Sequence, residues 1–452
     1  MSGKSGRDQK EMSEIVERLI GKSMKAGAEA ADALIVEGLS MGASFRMGKL
    51  EDVDRSEGHD LGLRVFMGKR QAIASSNDFS DQALDELADR VVAMAKLAPE
   101  DPHCGLAPKE RLAKAWPDLD LEDGTEPSSQ DLADRAAEAE EAGLAVPGIT
   151  NSEGAGASWG RGRVVLATSD GFVGSYATSS HSVSCSLIAG TGMGMETDYD
   201  FSSARHLSDM ESAALVGRRA GERTVRLLNP KKVGTQKVPV IYDPRVGQSL
   251  LGHLAGAISG PAVARGTSFL KGRMGEAVFG DHISIIDDPH RKRGLSSKPF
   301  DGEGVANKAH TLIDKGVLAT WLLHTASAHQ LALETTGHAA RGTGGPPGVS
   351  PTNLYMVAGE VNPEELMGDI KTGLYVTSLI GQGVNGVTGD YSRGAAGFWI
   401  ENGKLTHPVN ELTIAGNLKD MFLNLMPAND LEFRYGVNVP TLRVDGMTVA
   451  SG

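Results

Sequence analysis

The sequence predicts an α+β fold, with helix-and-strand N-terminal and central regions followed by a β-rich C-terminal domain. Three observations carry this expectation. Stretches with apolar residues at 3–4 spacing all lie before residue 259. After Ser268 the chain turns to β-type runs broken by Gly-centred turns. Its 452 residues exceed what one core accommodates, at roughly 100–200 residues per domain. The expected units are an N-terminal α/β region at 1–105, a central strand-and-helix region at 120–230 and the β-rich domain at 236–452.

Taken in order, Met12, Ile15, Val16, Leu19, Ile20 and Met24 share one face of an opening helix over 8–26. Short β-type runs follow at Ala33–Val36 and Ser44–Met47. Leu61–Met67 and Arg70–Ser76 flank Gly68-Lys69, a two-residue connection that reads as a hairpin in which Gly supplies a positive φ. Ser80 suits an N-cap for a helix carrying Leu84, Leu87, Val91, Met94 and Leu97 up to Pro99. The Pro- and carboxylate-rich stretch from Pro99 to Pro127 reads as a linker or excursion. A helix is expected over Ser129–Glu141, then an antiparallel set at Val164–Thr168, Phe172–Ala177 and His181–Ile188, then a helix over Met210–Leu228. Lys237–Tyr242 reads as a strand, Val246–Ile258 as a helix, and Thr441–Val444 as the last strand.

Composition narrows the function. No run approaches the ~18 apolar residues of a membrane span, and the start Met1–Lys10 lacks the apolar core of a secretory signal. Two cysteines, Cys104 and Cys185, cannot build a disulfide framework, so a reducing cytoplasm is the expected compartment. The net charge of −13 disfavours direct nucleic-acid binding, and the basic run Arg291–Arg293 is only three residues long. Glycine is abundant, at 57 residues.

Catalytic motifs are scarce. There is no G-x-S-x-G elbow, and His103-Cys104, adjacent in an extended loop, point apart. Gly381, Gly383 and Gly386 match G-x-G-x-x-G after the apolar run Leu374–Ile380, but a turn at Val387–Gly394 and another strand follow where a pyrophosphate would need a helix N-terminus. Gly190, Gly192 and Gly194 read as turn residues. No H-E-x-x-H occurs, and His324 and His329 are five apart, off the spacing by which one helix face presents two ligands. His253 stands alone on its helix.

Several segments together resemble the TldD/TldE (PmbA) family of peptidase subunits almost end to end. They are Leu61–Ala72, Cys185–Gly190 with Met195–Ser202, Arg265–Gly275, Thr336–Ala339, Thr388–Gly394, Phe398–Gly403 and Ile414–Met421. In the TldD kind of subunit, a helix carries H-E-x-x-x-H, whose histidines bind zinc while the Glu activates water, and a cysteine near the C-terminus completes the ligands. Counting back from Gly266 places that window here at Leu251–Gly256. Leu251 and Gly256 stand at the histidine positions and Gly252 at the Glu, His253 falls on a non-ligand position, and Asn438–Val444 holds no cysteine. A catalytic zinc needs about three protein donors.

The resemblance therefore implies the TldE/PmbA kind, with no catalytic residue and no metal in this chain. Zinc is expected in a TldD-type partner, within a cytoplasmic heterodimeric metalloprotease that processes or degrades unfolded peptides. Family members are linked to peptide-antibiotic maturation, antitoxin degradation and modulation of DNA gyrase. The expected contribution here is half of a closed chamber, whose β edges pair with extended peptide. Its expected peptide or partner contacts are Gly389, Asp390, Tyr391, Ser392, Arg393 and Gly394, read as a loop, together with the loop Gly342–Gly348. A homodimer is expected of the chain alone. Two rivals stand beside this reading: an independent metallopeptidase using His324, His329 and His338, and a regulator that binds gyrase or peptides without a protease.

Overall fold

The computed structural model describes residues 9–451, and the first eight residues of the opening segment lie outside it. The fold is α+β, as expected. Helix α1 (Gln9–Lys25) buries Met12, Ile15, Val16, Leu19 and Ile20 in one core shared with strands β1 (Ala30–Arg46), β2 (Lys49–Met67) and β3 (Arg70–Ser76). The β2–β3 connection is the two-residue turn expected, with Gly68 at φ 59°. Helix α2 (Asp81–Leu97) starts where the Ser80 side chain accepts from the Ala83 N–H, and it packs beside α1.

Helix α3 (Ser129–Leu144) begins with a capping box between Ser128 and Asp131. Strands β4 (Ile149–Thr168), β5 (Val173–Ala189) and β6 (Glu196–Ala204) follow, then helix α4 (Ala213–Arg226). All six strands form one antiparallel sheet in the order β3-β2-β1-β4-β5-β6, so the sheet runs unbroken through the first two regions. Its strands are much longer than the short runs read from sequence. The physical reason is composition: away from the helices, neighbouring strands present Gly38, Ser40, Ser56, Gly58, Gly160, Gly162, Thr178 and Ser180. Gly and Ser carry little strand propensity. The opposite face holds Leu39, Met41, Ala43 and Trp159 against α3. Helices α3 and α4 cross at a glycine: a Cβ on Gly217 would lie 2.7 Å from the carbonyl carbon of Ala139.

The Pro99–Pro127 excursion is a strap. Its Ala113 N–H donates to Gly304 O (2.9 Å), and Arg111 O accepts from the Ala306 N–H (2.9 Å), tying the sheet to the C-terminal region. That region opens with strand β7 (Gln236–Tyr242) and helix α5 (Pro244–Ala257), whose N-cap Asp243 accepts from the Arg245 N–H. β7 pairs in parallel with the Thr372–Ile380 strand. The pairing then passes through Asp390–Glu401, Lys404–Asn417 and Leu442–Ser451 back to β7, closing a five-stranded ring. A second sheet of five short strands, with Ile285–Asp288 at its centre, packs into the same core.

A buried quartet of charges crosses the seam between the first sheet and the C-terminal region. Asp32 on β1 accepts from Arg64 Nε on β2 at 2.8 Å, and Arg341 Nη1 reaches its other oxygen. Arg64 also lies 3.6 Å from Glu303, which accepts from the Thr325 N–H at 2.9 Å. Burial alone would raise the Asp32 carboxyl, but Arg341 and Arg64 outweigh it and hold it below its ordinary value. The Gly342–Gly348 segment, expected as a chamber or interface loop, touches this chain's own β2 at Thr343. Thr343 bonds Asp60, and its backbone occupies the space that a Cβ on Gly62 would need.

Candidate functional site

Where the outer strand of the first sheet faces the C-terminal ring, a groove of about 1050 Å³ opens. One wall is β6, with Asp198 and Tyr199. The other is the first half of α5 together with Thr377–Ile380 and Arg393–Ala396. Arg245, on the first turn of α5, holds the walls together: it pairs with Asp198 at 3.0 Å and Asp243 at 3.3 Å, and it donates to Tyr199 O. Burial would lower the Arg245 guanidinium, but the two carboxylates outweigh it and raise it. The groove lining also carries Glu153, Glu196 and Glu411. Burial there raises Glu196, which accepts from Asn410 at 2.9 Å.

The expected contact residues 389–394 fall beside this groove, but as a strand rather than a loop. Only Gly389 (φ 87°) is a turn residue, and Asp390 begins the Asp390–Glu401 strand. Alternation then divides them. Tyr391 and Arg393 point into the core, while Asp390 and Ser392 are exposed. Of the six, Arg393 and Gly394 line the groove. Asp390 instead ties down its own turn, accepting from Thr388 (2.7 Å) and Asn417 (3.0 Å).

The window on α5 lines no part of the groove and meets the Asp390–Glu401 strand through His253. Leu251 is buried in the C-terminal core, whereas Gly252 and Gly256 face open space. The His253 ring stands edge-on to Tyr391 with centroids 6.0 Å apart, and its Nε2 has no hydrogen-bond partner. Burial and the Arg393 charge both push His253 below its ordinary value, so the imidazole is neutral. These side chains do not fit zinc: the window offers one imidazole, no carboxylate and a neighbouring guanidinium. Among the described residues no group of three or more His, Cys, Asp or Glu is arranged to hold a metal.

The remaining candidates separate. His324 bonds Ser327 (2.8 Å), His338 bonds Asp287 (3.2 Å) and Thr336 (2.8 Å), and His329 bonds His103 O (3.2 Å), so the three histidines share no centre. Burial raises both thiols, Cys185 to about 12, which leaves no thiolate nucleophile. After Gly381 the chain loops into the next strand with no helix, so the G-x-G-x-x-G match fails as expected. Sequence reading missed Arg245 and the seam quartet. A signal existed for the latter, since Asp32 and Arg64 each interrupt an apolar run on paired strands.

Three consecutive segments match the domains of one family: residues 31–95 the PmbA/TldA metallopeptidase domain 1, 122–228 its central domain and 235–451 its C-terminal domain. Metalloprotease PmbA of Escherichia coli O157:H7 is 38% identical over 94% of this chain and 92% of its own length. A PmbA homologue of Haemophilus influenzae is 37% identical over 98% and 96%. Among solved structures, a Bacteroides thetaiotaomicron protein named as a modulator of DNA gyrase superposes with a TM-score of 0.90 at 26% identity, covering 98% of this chain and 99% of that one. TldE of Thermococcus kodakarensis shares the fold, with a TM-score of 0.87 at 19% identity over 97% and 100%.

Proposed function

The chain belongs to the PmbA/TldD metallopeptidase family, on its PmbA (TldE) side, and from that premise we propose that it is the subunit without metal of a heterodimeric zinc protease acting on unfolded peptides. One observation carries this reading: the α5 window presents Leu251, Gly252 and Gly256 where the zinc-binding kind of subunit carries its ligands and base, and the one imidazole there sits beside Arg393. A Zn²⁺ ion would meet a fixed positive charge and too few donors. What this chain supplies is binding. At about 1050 Å³, the groove between β6 and the ring has the volume for a short segment of extended peptide. Exposed Met195, Tyr199 and Ile380 at its sides provide apolar contact, and Arg245 keeps the walls at fixed spacing.

The test is peptide hydrolysis by this chain alone, by a TldD-type subunit alone and by the two mixed, with zinc measured in each. The reading requires activity in the mixture, none in this chain, and zinc only in the partner. Near-stoichiometric zinc with cleavage by the isolated chain would overturn it. A regulator of DNA gyrase is the second reading, favoured by the name of the Bacteroides relative. Native co-purification that recovers a topoisomerase and no zinc subunit would select it. Among the described residues no helix is long and apolar enough to cross a membrane.

A further inference from the structure

Arg393 is 9% exposed, on the inward row of its strand between Tyr391 and Ala395. Two other buried guanidiniums have carboxylate partners, Arg64 with Asp32 and Glu303 and Arg341 with Asp32, and Arg205 donates to three backbone oxygens. Arg393 forms no ion pair among the described residues. Its one hydrogen bond runs from Nε to the backbone oxygen of Ile380 at 3.4 Å. The nearby ionisable side chains do not balance it, because His253 is neutral and burial raises the phenols of Tyr242 and Tyr391. A guanidinium nine-tenths buried without a counter-charge is costly, and this one borders the groove, where its terminal nitrogens remain open to solvent.

The backbone beside it is also open. The parallel pairing of β7 with the Thr372–Ile380 strand ends at Tyr242 opposite Val376. Thr377 lies at a register shift, and from Ser378 to Ile380 that strand is paired only on its other side, with Gly394–Ala396. An extended peptide entering the groove can continue the line of β7, adding a strand parallel to Thr377–Ile380. Its C-terminus then arrives at the Ile380 end, where Arg393 is anchored.

We propose that Arg393 is the receptor for a carboxylate in this groove, the free α-carboxylate at the C-terminus of an extended peptide bound along Thr377–Ile380. This rests on the peptide-handling reading above and adds to it a ligand end and a direction. Guanidinium and carboxylate would meet as a two-pronged, charge-assisted pair at the wall of the groove.

The test is fluorescence anisotropy with the full-length protein and three labelled peptides of one neutral sequence: one with a free C-terminus, one amidated, and one amidated with an internal Glu. The free acid is expected to bind about tenfold or more tighter than the amide. In Arg393→Gln that ratio should fall to about one, and Arg393→Lys should keep part of it. Thermal unfolding of both variants at or above the wild-type midpoint shows that they are folded. An unchanged ratio in Arg393→Gln, or no preference in the wild type, overturns the proposal while leaving peptide binding intact. Equal tightening by the internal Glu overturns the assignment to the terminus. Failure to bind any of the three refutes the peptide-handling reading as well.

Discussion

Replacing Asp32 by Asn should unbalance the seam quartet, in which two guanidiniums and two carboxylates share one dry site. At 2.8 Å and an effective dielectric of about 20, one such pair attracts by about 6 kcal/mol before desolvation is counted. Desolvation offsets much of that, and breaking a buried pair from one side leaves a net loss of about 3–5 kcal/mol. Asn also turns an N–H donor toward a guanidinium that needs an acceptor. Arg341→Met should lose a comparable amount, because Asp32 and Glu303 would then share Arg64 alone. The double variant restores neutrality by leaving Arg64 and Glu303 together, so its loss should fall short of the sum by about 2 kcal/mol or more. Urea unfolding of the four proteins closes the cycle. Single losses under about 1 kcal/mol, or losses that add within about 0.5 kcal/mol, would show that the quartet does not act as one unit.

Gly217→Val should force α3 and α4 apart at Ala139 and destabilise by about 1–3 kcal/mol; an unchanged melting temperature would refute the close crossing. Burial, then the charges of His338 and Lys308, push His310 to about 4 from 6.5. The unfolded state therefore takes up a proton first, and this imidazole's stabilisation, complete above 6.5, is lost as pH falls toward 4. The wild-type advantage over His310→Gln should shrink across that window, and a flat difference would contradict the assignment. Asp301 has the opposite sign. Burial and Glu303 raise it to about 7 from 3.8, so its contribution is complete below 3.8 and lost as pH rises through 7. Asp301→Asn should gain on the wild type across that rise in urea titrations. Arg393→Met should melt no lower than the wild type, since it removes an uncompensated buried charge; a melting point several degrees lower would mean that the guanidinium is already satisfied.

Local chemistry was legible where side chains differ in kind. The α1 stripe, the Ser80 cap and the Gly68 turn each rest on a few neighbouring residues, and each stands in the structure as read except that Met24, at the end of the stripe, is exposed. Strand length was not legible, because Ser and Gly on one face of β1, β2, β4 and β5 show no alternation of apolar with charged residues. The run Asp390–Gly394 read as a turn for its Gly, Asp and Ser. Pairing with Asn417–Thr413 makes it a strand, and that turned Arg393 from a surface charge into a buried one. The emptiness of the α5 window needed the likeness to a family, since nothing within the sequence itself marks Gly252 as the place of a missing base. The bond from Arg341 to Asp32 spans 309 residues, beyond any local pattern.

The Gly/Ser face of the first sheet bears on how its long strands find their alignment. Sliding β1 past β4 by two residues would exchange Gly38 and Ser40 for near equivalents, so that face tolerates a slip at little loss. The other face does not, because the same slip would displace Met41 from Trp159, which it faces across the pair, and both from α3. Helix α3 is thus a gauge as well as a cover: by accepting Leu39, Met41 and Trp159 in one arrangement, it selects a single alignment of strands that would otherwise have several.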